Sequence, residues 1–173
     1  MFPSLQDASR AVPDDLPNWL ADEWRLERAV REEVNAYRQA RDMGPMRYRD
    51  DVAVVVREHS ENMGQFGFFG HVDQLGRDPG ARFPSSALHC GENLIQIPRT
   101  VASTWVFGVT LSRERDLFRM SSQRVAEVLV QGWVTSPGHE EQMRFPPLNA
   151  GGVGVFYQED GGLYVTHDLC HRG

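Results

Sequence analysis

The strongest constraint on the fold is a pair of alternating segments near the C-terminus. Apolar residues occupy every second position of residues 153–157 and, with one histidine among them, of residues 163–169. This period of two is typical of β-strands. Asp160-Gly161 lies between the two segments, and this dipeptide favours a tight hairpin turn. The C-terminal end therefore predicts two antiparallel strands.

Helical periodicity predicts three helices before this hairpin. Gly44-Pro45 predicts the end of the first, because Gly suits a left-handed cap and Pro cannot continue a helix. Asp50 predicts the N-cap of the second, and Gly64 its end. Pro137-Gly138 follows the end of the third. The apolar faces of these helices cover residues 26–37, 52–63 and 125–133.

The remaining segments complete a single-domain plan. The apolar run Leu94–Ile97 predicts a short strand, and residues 98–121, which lack a clear period, predict an irregular excursion. Pro-rich residues 1–20 predict an irregular lead-in to one domain that covers residues 21–173. Helices together with antiparallel strands place the chain in the α/β class.

Composition excludes several kinds of partner. The net charge of −6 disfavours nucleic acid as a partner. No run approaches the roughly 20 apolar residues that span a membrane. The first residues lack the basic start and apolar core of a signal peptide, which leaves a cytoplasmic location open. Cys90 and Cys170 are the two cysteines and are candidates for one disulfide, a number that fits either redox compartment.

Three short segments carry the residues suited to chemistry. They are Phe69-Gly70-His71, Gly91-Glu92-Asn93-Leu94, and residues 133–139, which end in His139. Two imidazoles and a carboxylate are a workable set of three protein ligands for Zn²⁺, with water in the open position. The spacing alone is not diagnostic, because polar residues that cap turns would give the same pattern.

The order of these motifs resembles the prokaryotic branch of the CAP superfamily, which contains cysteine-rich secretory proteins, antigen 5 and pathogenesis-related proteins. The resemblance runs from about Leu26 to Leu169. It includes Phe-x-His, Gly-Glu-Asn-Leu, Trp-x-x-Ser-Pro-Gly-His and, thirteen residues after His139, the Gly-Val-Gly-Val that begins at Gly152. It implies a three-layer α-β-α sandwich with a central antiparallel sheet.

The resemblance also implies a cleft and its ligands. The implied cleft residues are His71, Glu92, Asn93, Ser136 and His139, of which His71 and His139 would hold Zn²⁺ or another divalent metal. In eukaryotic members a second acid stands where this chain has Ser136. The cleft therefore has one negative charge fewer, and we expect weaker metal binding.

Three functions are compatible with this cleft. The first is a non-catalytic, secreted or cell-surface CAP domain that binds a small hydrophobic ligand such as a lipid or sterol, a divalent metal, or a protein partner. The second is a zinc-dependent hydrolase or peptidase that uses His71 and His139 as ligands and Glu92 as the catalytic base. The third is a structural or adhesive surface protein. The aromatic residues in and before the 98–121 excursion fit ordinary core packing; alternatively, part of that excursion forms an apolar wall for a lipid or sterol.

Several other polar residues receive structural interpretations. We expect His59 to be a satisfied core histidine and Arg82 to bridge loop carboxylates rather than act on a substrate. His167 could face the cleft, but we expect it to lie at the surface. Ser136 is interpreted as an N-cap or turn residue. If the protein is exported, a Cys90–Cys170 disulfide would tie the Gly-Glu-Asn-Leu segment to the last strand.

Overall fold

A computed structural model of the chain describes residues 18–83, 89–97, 104–106, 109–111, 120–158 and 162–171. The described helices are α1 (Asn18–Gln39), α2 (Asp50–Phe66), α3 (Ser122–Val134) and α4 (Pro137–Arg144). The described strands are β1 (Arg47–Tyr48), β2 (His89–Ile97), β3 (Thr104–Val106), β4 (Val109–Leu111), β5 (Ala150–Tyr157) and β6 (Leu163–His171). None of these helices is both long enough and apolar enough to span a membrane.

The main sheet has the strand order β1-β5-β6-β2. Strands β5 and β6 form the predicted antiparallel hairpin, with Ala150 opposite Cys170; the predicted turn at residues 160–161 lies outside the described residues. Strand β6 also pairs antiparallel with β2, along the whole of both strands. The two-residue strand β1 runs parallel to β5.

Helices cover both faces of this sheet. On one face, apolar side chains of α1 and α3 form the largest core cluster with Val153, Val155, Val165 and Leu169. On the other face, α2 lies so close to β5 that a Cβ at Gly154 would be 2.4 Å from the Arg57 backbone nitrogen. Only glycine permits this approach. The predicted three-layer α-β-α sandwich is confirmed.

The predicted helix boundaries need correction. Helix α1 ends at Gln39 rather than at Gly44, because Asp42 adopts the left-handed conformation (φ 56°) and terminates it. Arg49, not Asp50, occupies the N-cap position of α2. Helix α2 continues past Gly64 to a left-handed cap at Gly67 (φ 68°).

Strand β1, the β3–β4 hairpin and helix α4 were missed. The predicted irregular excursion contains the β3–β4 hairpin, whose three-residue strands are too short to show a period. The segment interpreted as a turn at Pro137-Gly138 begins helix α4, with Pro137 in the first turn, where its lack of an N–H has no cost. His139 therefore projects from a helix, and the side chains of residues 98–119 lie outside the described part of the chain.

Candidate functional site

The site lies around Glu92 on the edge strand β2. Its carboxylate Oε1 accepts a hydrogen bond of 2.8 Å from Nδ1 of His71, which follows α2 in the loop at residues 67–79. The Glu92 side chain is 1 % exposed, whereas the His71 side chain is 53 % exposed. A buried carboxylate therefore holds the inner edge of an exposed imidazole, which leaves Nε2 of that ring facing outward.

Arg82 occupies the other oxygen of this carboxylate. Its Nη2 donates to Glu92 Oε2 and lies 3.4 Å from the backbone carbonyl oxygen of His71. The Arg82 side chain is 3 % exposed, and its Nε and Nη1 find no hydrogen-bond partner within the described part of the chain. As predicted, Arg82 binds a carboxylate, but this carboxylate belongs to Glu92 on strand β2 rather than to a loop residue, and the 3₁₀ turn Gly80–Arg82 brings Arg82 to that strand.

Two further buried groups surround Glu92. His59 on α2 has its Nε2 3.9 Å from Glu92 Oε1 and 3.0 Å from the Gly70 carbonyl oxygen. A carbonyl can only accept, so Nε2 carries the hydrogen and the core role predicted for His59 is confirmed. Asp168 stands opposite Glu92 in the β2–β6 pairing. Burial first, and then the Glu92 carboxylate, raise the pKa of Asp168 well above its usual value.

His139 reaches the same strand from α4. Asn93 Nδ2 donates to the His139 backbone carbonyl oxygen at 3.3 Å, as expected for an asparagine that bonds to the backbone. Burial, and secondly the charge of neighbouring His71, lower the pKa of His139, so its ring tends to be neutral. Ser136 occupies the N-cap position of α4 without a side-chain capping bond.

His167 contradicts its predicted surface position. It is fully buried, pairs with Asn93 across β6 and β2, and packs against Trp133 at 5.4 Å and Tyr48 at 6.0 Å between ring centroids. Neither ring nitrogen has a hydrogen-bond partner in the residues that the structure describes. Burial lowers the pKa of His167 to about 3, and the ring is therefore neutral. The alternation of β6 placed it on the same face as Val165, which is the signal that the surface interpretation ignored.

The predicted disulfide is present. Cys90 and Cys170 are bonded to each other and stand directly opposite in β2 and β6. Glu92 and Asp168 are the next pair on the same face of these strands. The disulfide therefore cross-links the two strands that carry the buried carboxyl groups of the site.

The described donors fit a metal only in part. Within the described residues, no group of three or more His, Cys, Asp or Glu side chains is arranged to hold a metal ion. Glu92 is bonded to His71 and Arg82, so it is not a free ligand. His139 Nδ1 is buried and lacks a hydrogen-bond partner among the described residues, as does Nδ1 of His59. The candidate nitrogen donors of the cleft remain the imidazoles of His71 and His139.

Sequence reasoning missed two members of the site. Arg82 was given a role outside it, and Asp168 was not considered at all. Asp168 could have been found, because it occupies the inward position two residues before Cys170 on a predicted strand. The contact of Arg82 with Glu92 depends on the path of the loop that carries Arg82. The sequence carries no comparable signal for that path.

A three-layer sandwich with two histidines and a glutamate beside an edge strand defines the CAP class of domain. The family model described as the cysteine-rich secretory protein family matches residues 31–169. The chain belongs to this CAP family. Comparison with curated protein sequences returns no match.

Solved bacterial structures share this fold. An extracellular protein containing an SCP domain from Bacillus anthracis superposes with a TM-score of 0.65 at 18% identity, over 92% of this chain and 45% of that one. An outer surface protein from Borrelia burgdorferi gives 0.62 at 16% identity, over 83% and 90%. A cysteine-rich secretory protein from Staphylococcus aureus gives 0.51 at 10% identity, over 85% and 39%. The chain thus spans less than half of two of these proteins, and at such identities the similarity concerns the fold alone.

Proposed function

We propose that this chain is a non-catalytic, exported CAP domain whose cleft binds a divalent metal such as Zn²⁺ through His71 and His139. One observation carries this proposal: both oxygens of Glu92 are bonded, one to His71 and one to Arg82. A carboxylate that orients a histidine through Nδ1 leaves Nε2 with the lone pair that a metal requires. The same bonds argue against Glu92 as a free general base, and so against the hydrolase alternative.

Export is supported by two observations of different kinds. The Cys90–Cys170 disulfide suits an oxidising compartment. Two proteins of the same fold are described as an extracellular protein and an outer surface protein. Thiol titration of denatured protein from its native source tests this part: we expect no reactive thiol, and two thiols per chain would contradict export.

Zinc titration by calorimetry of metal-stripped protein tests the binding site. We expect one site, lost in the His71→Ala/His139→Ala double variant, because no described carboxylate would replace the imidazoles. His171→Ala is the matched control, since that histidine bonds to the Pro147 carbonyl oxygen away from the cleft. Unchanged zinc binding in the double variant would exclude the cleft. Peptide or ester hydrolysis by the zinc-loaded protein, abolished in Glu92→Gln, would favour the enzyme instead.

A hydrophobic ligand or protein partner is a second candidate, favoured by exposed apolar side chains on both sides of His71. Phe66, Phe69, Val72 and Leu75 are each between 48% and 70% exposed. Apolar side chains grouped in one loop commonly mark a binding surface. Binding of a fluorescent fatty acid that is retained in the double histidine variant and lost in Phe69→Ser/Val72→Ser would support this candidate.

A further inference from the structure

Arg82 contacts His71 in two ways at once. Its Nη2 bonds to Glu92, whose other oxygen accepts from the His71 ring, and the same Nη2 reaches the His71 backbone carbonyl oxygen at 3.4 Å. The guanidinium, the carboxylate and the histidine thus form a closed loop of contacts. Arg82 is separated from His71 by eleven residues of chain, so these contacts also fix the loop between them.

The exposure of the ring makes this loop of contacts important. More than half of the His71 side chain faces solvent. Such a ring would otherwise change rotamer freely and exchange between its two neutral tautomers. Since a carboxylate only accepts, its bond to Nδ1 selects the tautomer with hydrogen on Nδ1. Glu92 can hold the ring only if its own carboxylate is held.

The other described groups around Glu92 cannot hold it in this way. His59 Nε2 is 3.9 Å from Oε1 and already donates to the Gly70 carbonyl oxygen. Asp168 shares a side-chain hydrogen bond with Glu92 but, unlike Arg82, it brings no positive charge to this carboxylate. We propose that Arg82 is a positioning residue of the cleft: by clamping Glu92 and the His71 carbonyl, it keeps the His71 ring in the Nδ1–H tautomer, with Nε2 available to a ligand.

Nitrogen NMR of the metal-free protein tests the proposal directly. Long-range ¹H–¹⁵N spectra distinguish the two neutral tautomers of each histidine ring. We expect His71 of the unchanged protein to show the Nδ1–H form alone, and Arg82→Met to give an averaged spectrum. Arg77→Met is the matched control, because Arg77 lies in the same loop but its Nε bonds to Asp73. An unchanged His71 spectrum in Arg82→Met would overturn the proposal.

Zinc affinity provides a second readout, which rests on the proposed function. Loss of a group that orients a metal-binding histidine typically weakens binding 10- to 100-fold, and we expect this range for Arg82→Met and no change for Arg77→Met. If the unchanged protein binds no zinc, the proposed function fails while the NMR test still decides the role of Arg82. Equal zinc affinity of Arg82→Met and the unchanged protein would contradict the positioning role of Arg82.

Loss of a buried arginine can also unfold the chain. Arg82→Lys keeps a positive charge beside Glu92, but its single ammonium lacks the planar fork of the guanidinium. We expect this variant to fold, as judged by circular dichroism, and to show partial averaging of the His71 spectrum. A folded Arg82→Lys protein with the Nδ1–H tautomer fully retained would show that charge alone suffices and that the clamp is unnecessary.

Discussion

The two edges of the main sheet use buried carboxylates in opposite ways. Beyond the short strand β1, the free edge of β5 is covered by α1: Glu27 accepts from the Val155 backbone N–H at 3.3 Å, and Glu23 from the Tyr157 N–H at 2.9 Å. At the β2 edge, Glu92 is bonded instead to side chains of a loop. The first edge is closed by its carboxylates, whereas the second uses its carboxylate to orient a histidine toward solvent.

The two edges also differ in how many buried polar atoms lack a hydrogen-bond partner. Both oxygens of Glu27 are bonded, to Arg57, Arg31 and the strand. Around β2, Arg82 Nε, Arg82 Nη1 and His139 Nδ1 find no hydrogen-bond partner among the described residues, and at the α1 edge the same holds for Arg31 Nε and Tyr48 Oη. Unpaired buried polar groups destabilise a fold, so proteins retain them chiefly where function requires them. The contrast teaches that burial of a carboxylate does not by itself identify a functional site; the identity of its partners does.

Removal of Glu27, whose carboxylate bonds to the edge strand β5, should have the largest effect on stability. We expect Glu27→Ala to lower the free energy of unfolding by about 4 kcal/mol, because it leaves the mostly buried Arg57 without its partner and the Val155 N–H without an acceptor. Urea unfolding measures this. Glu32→Ala removes an exposed ion pair with Arg28 from the same helix and should change stability by less than about 0.5 kcal/mol. Equal losses in the two variants would remove the contrast.

His167 lies in the interior behind the cleft and should make stability depend on pH. Its pKa is about 3 in the folded chain, against 6.5 when exposed. Below pH 6.5 the unfolded chain therefore binds a proton that the folded chain does not, and stability falls as pH falls. We expect His167→Leu to remove about 3 kcal/mol of the loss between pH 7 and pH 4, measured by urea unfolding. The same slope in His167→Leu and the unchanged protein would contradict its neutral, buried state.

Glu23 should give a pH dependence of the opposite sign. Burial raises its pKa to about 7 from 4.5. Between these values the folded chain holds a proton that the unfolded chain has released, so stability falls as pH rises. We expect Glu23→Gln, whose amide oxygen can still accept from the Tyr157 N–H, to be more stable than the unchanged protein by about 2 kcal/mol at pH 8, after allowance for solvent screening. Urea unfolding at pH 5 and pH 8 measures the difference, and Glu32→Gln should leave it unchanged.

Most of the fold and the outline of the site could be predicted from the sequence, because both depend on local signals. Alternation gave β5 and β6, helical periodicity gave α1, α2 and α3, and the ordered motifs brought in His71, Glu92 and His139. The features that could not be predicted from the sequence depend on tertiary contacts. Gly64 reads as a helix end, yet it lies inside α2. Its glycine is explained by packing, because a Cβ there would be 2.5 Å from the Phe156 ring. Arg82 meets Glu92 only through the path of its loop, which no local pattern encodes. Asp168 lies on a predicted strand, but the pairing register that places it opposite Glu92 is not a local signal.

The substitution with the smallest expected effect on stability adds a carboxylate to the cleft at position 136. Ser136→Asp places an acid at the N-cap of α4, where it suits the helix and should alter stability by less than about 0.5 kcal/mol. In contrast to Glu92, this carboxylate would have no described arginine partner and would remain available to a cation. We expect zinc affinity measured by calorimetry to rise about tenfold, equivalent to roughly 1.4 kcal/mol.

Ser121→Asp is the matched control for this substitution, because Ser121 is also an N-cap serine but begins α3. The same gain in both variants would mean that added negative charge, rather than its position beside His139, attracts the metal. No gain in Ser136→Asp, together with measurable zinc binding by the unchanged protein, would place the metal away from the N-terminus of α4. A gain confined to Ser136→Asp would mean that the carboxylate limiting this cleft is the one the chain lacks, since Glu92 is already committed to orienting His71.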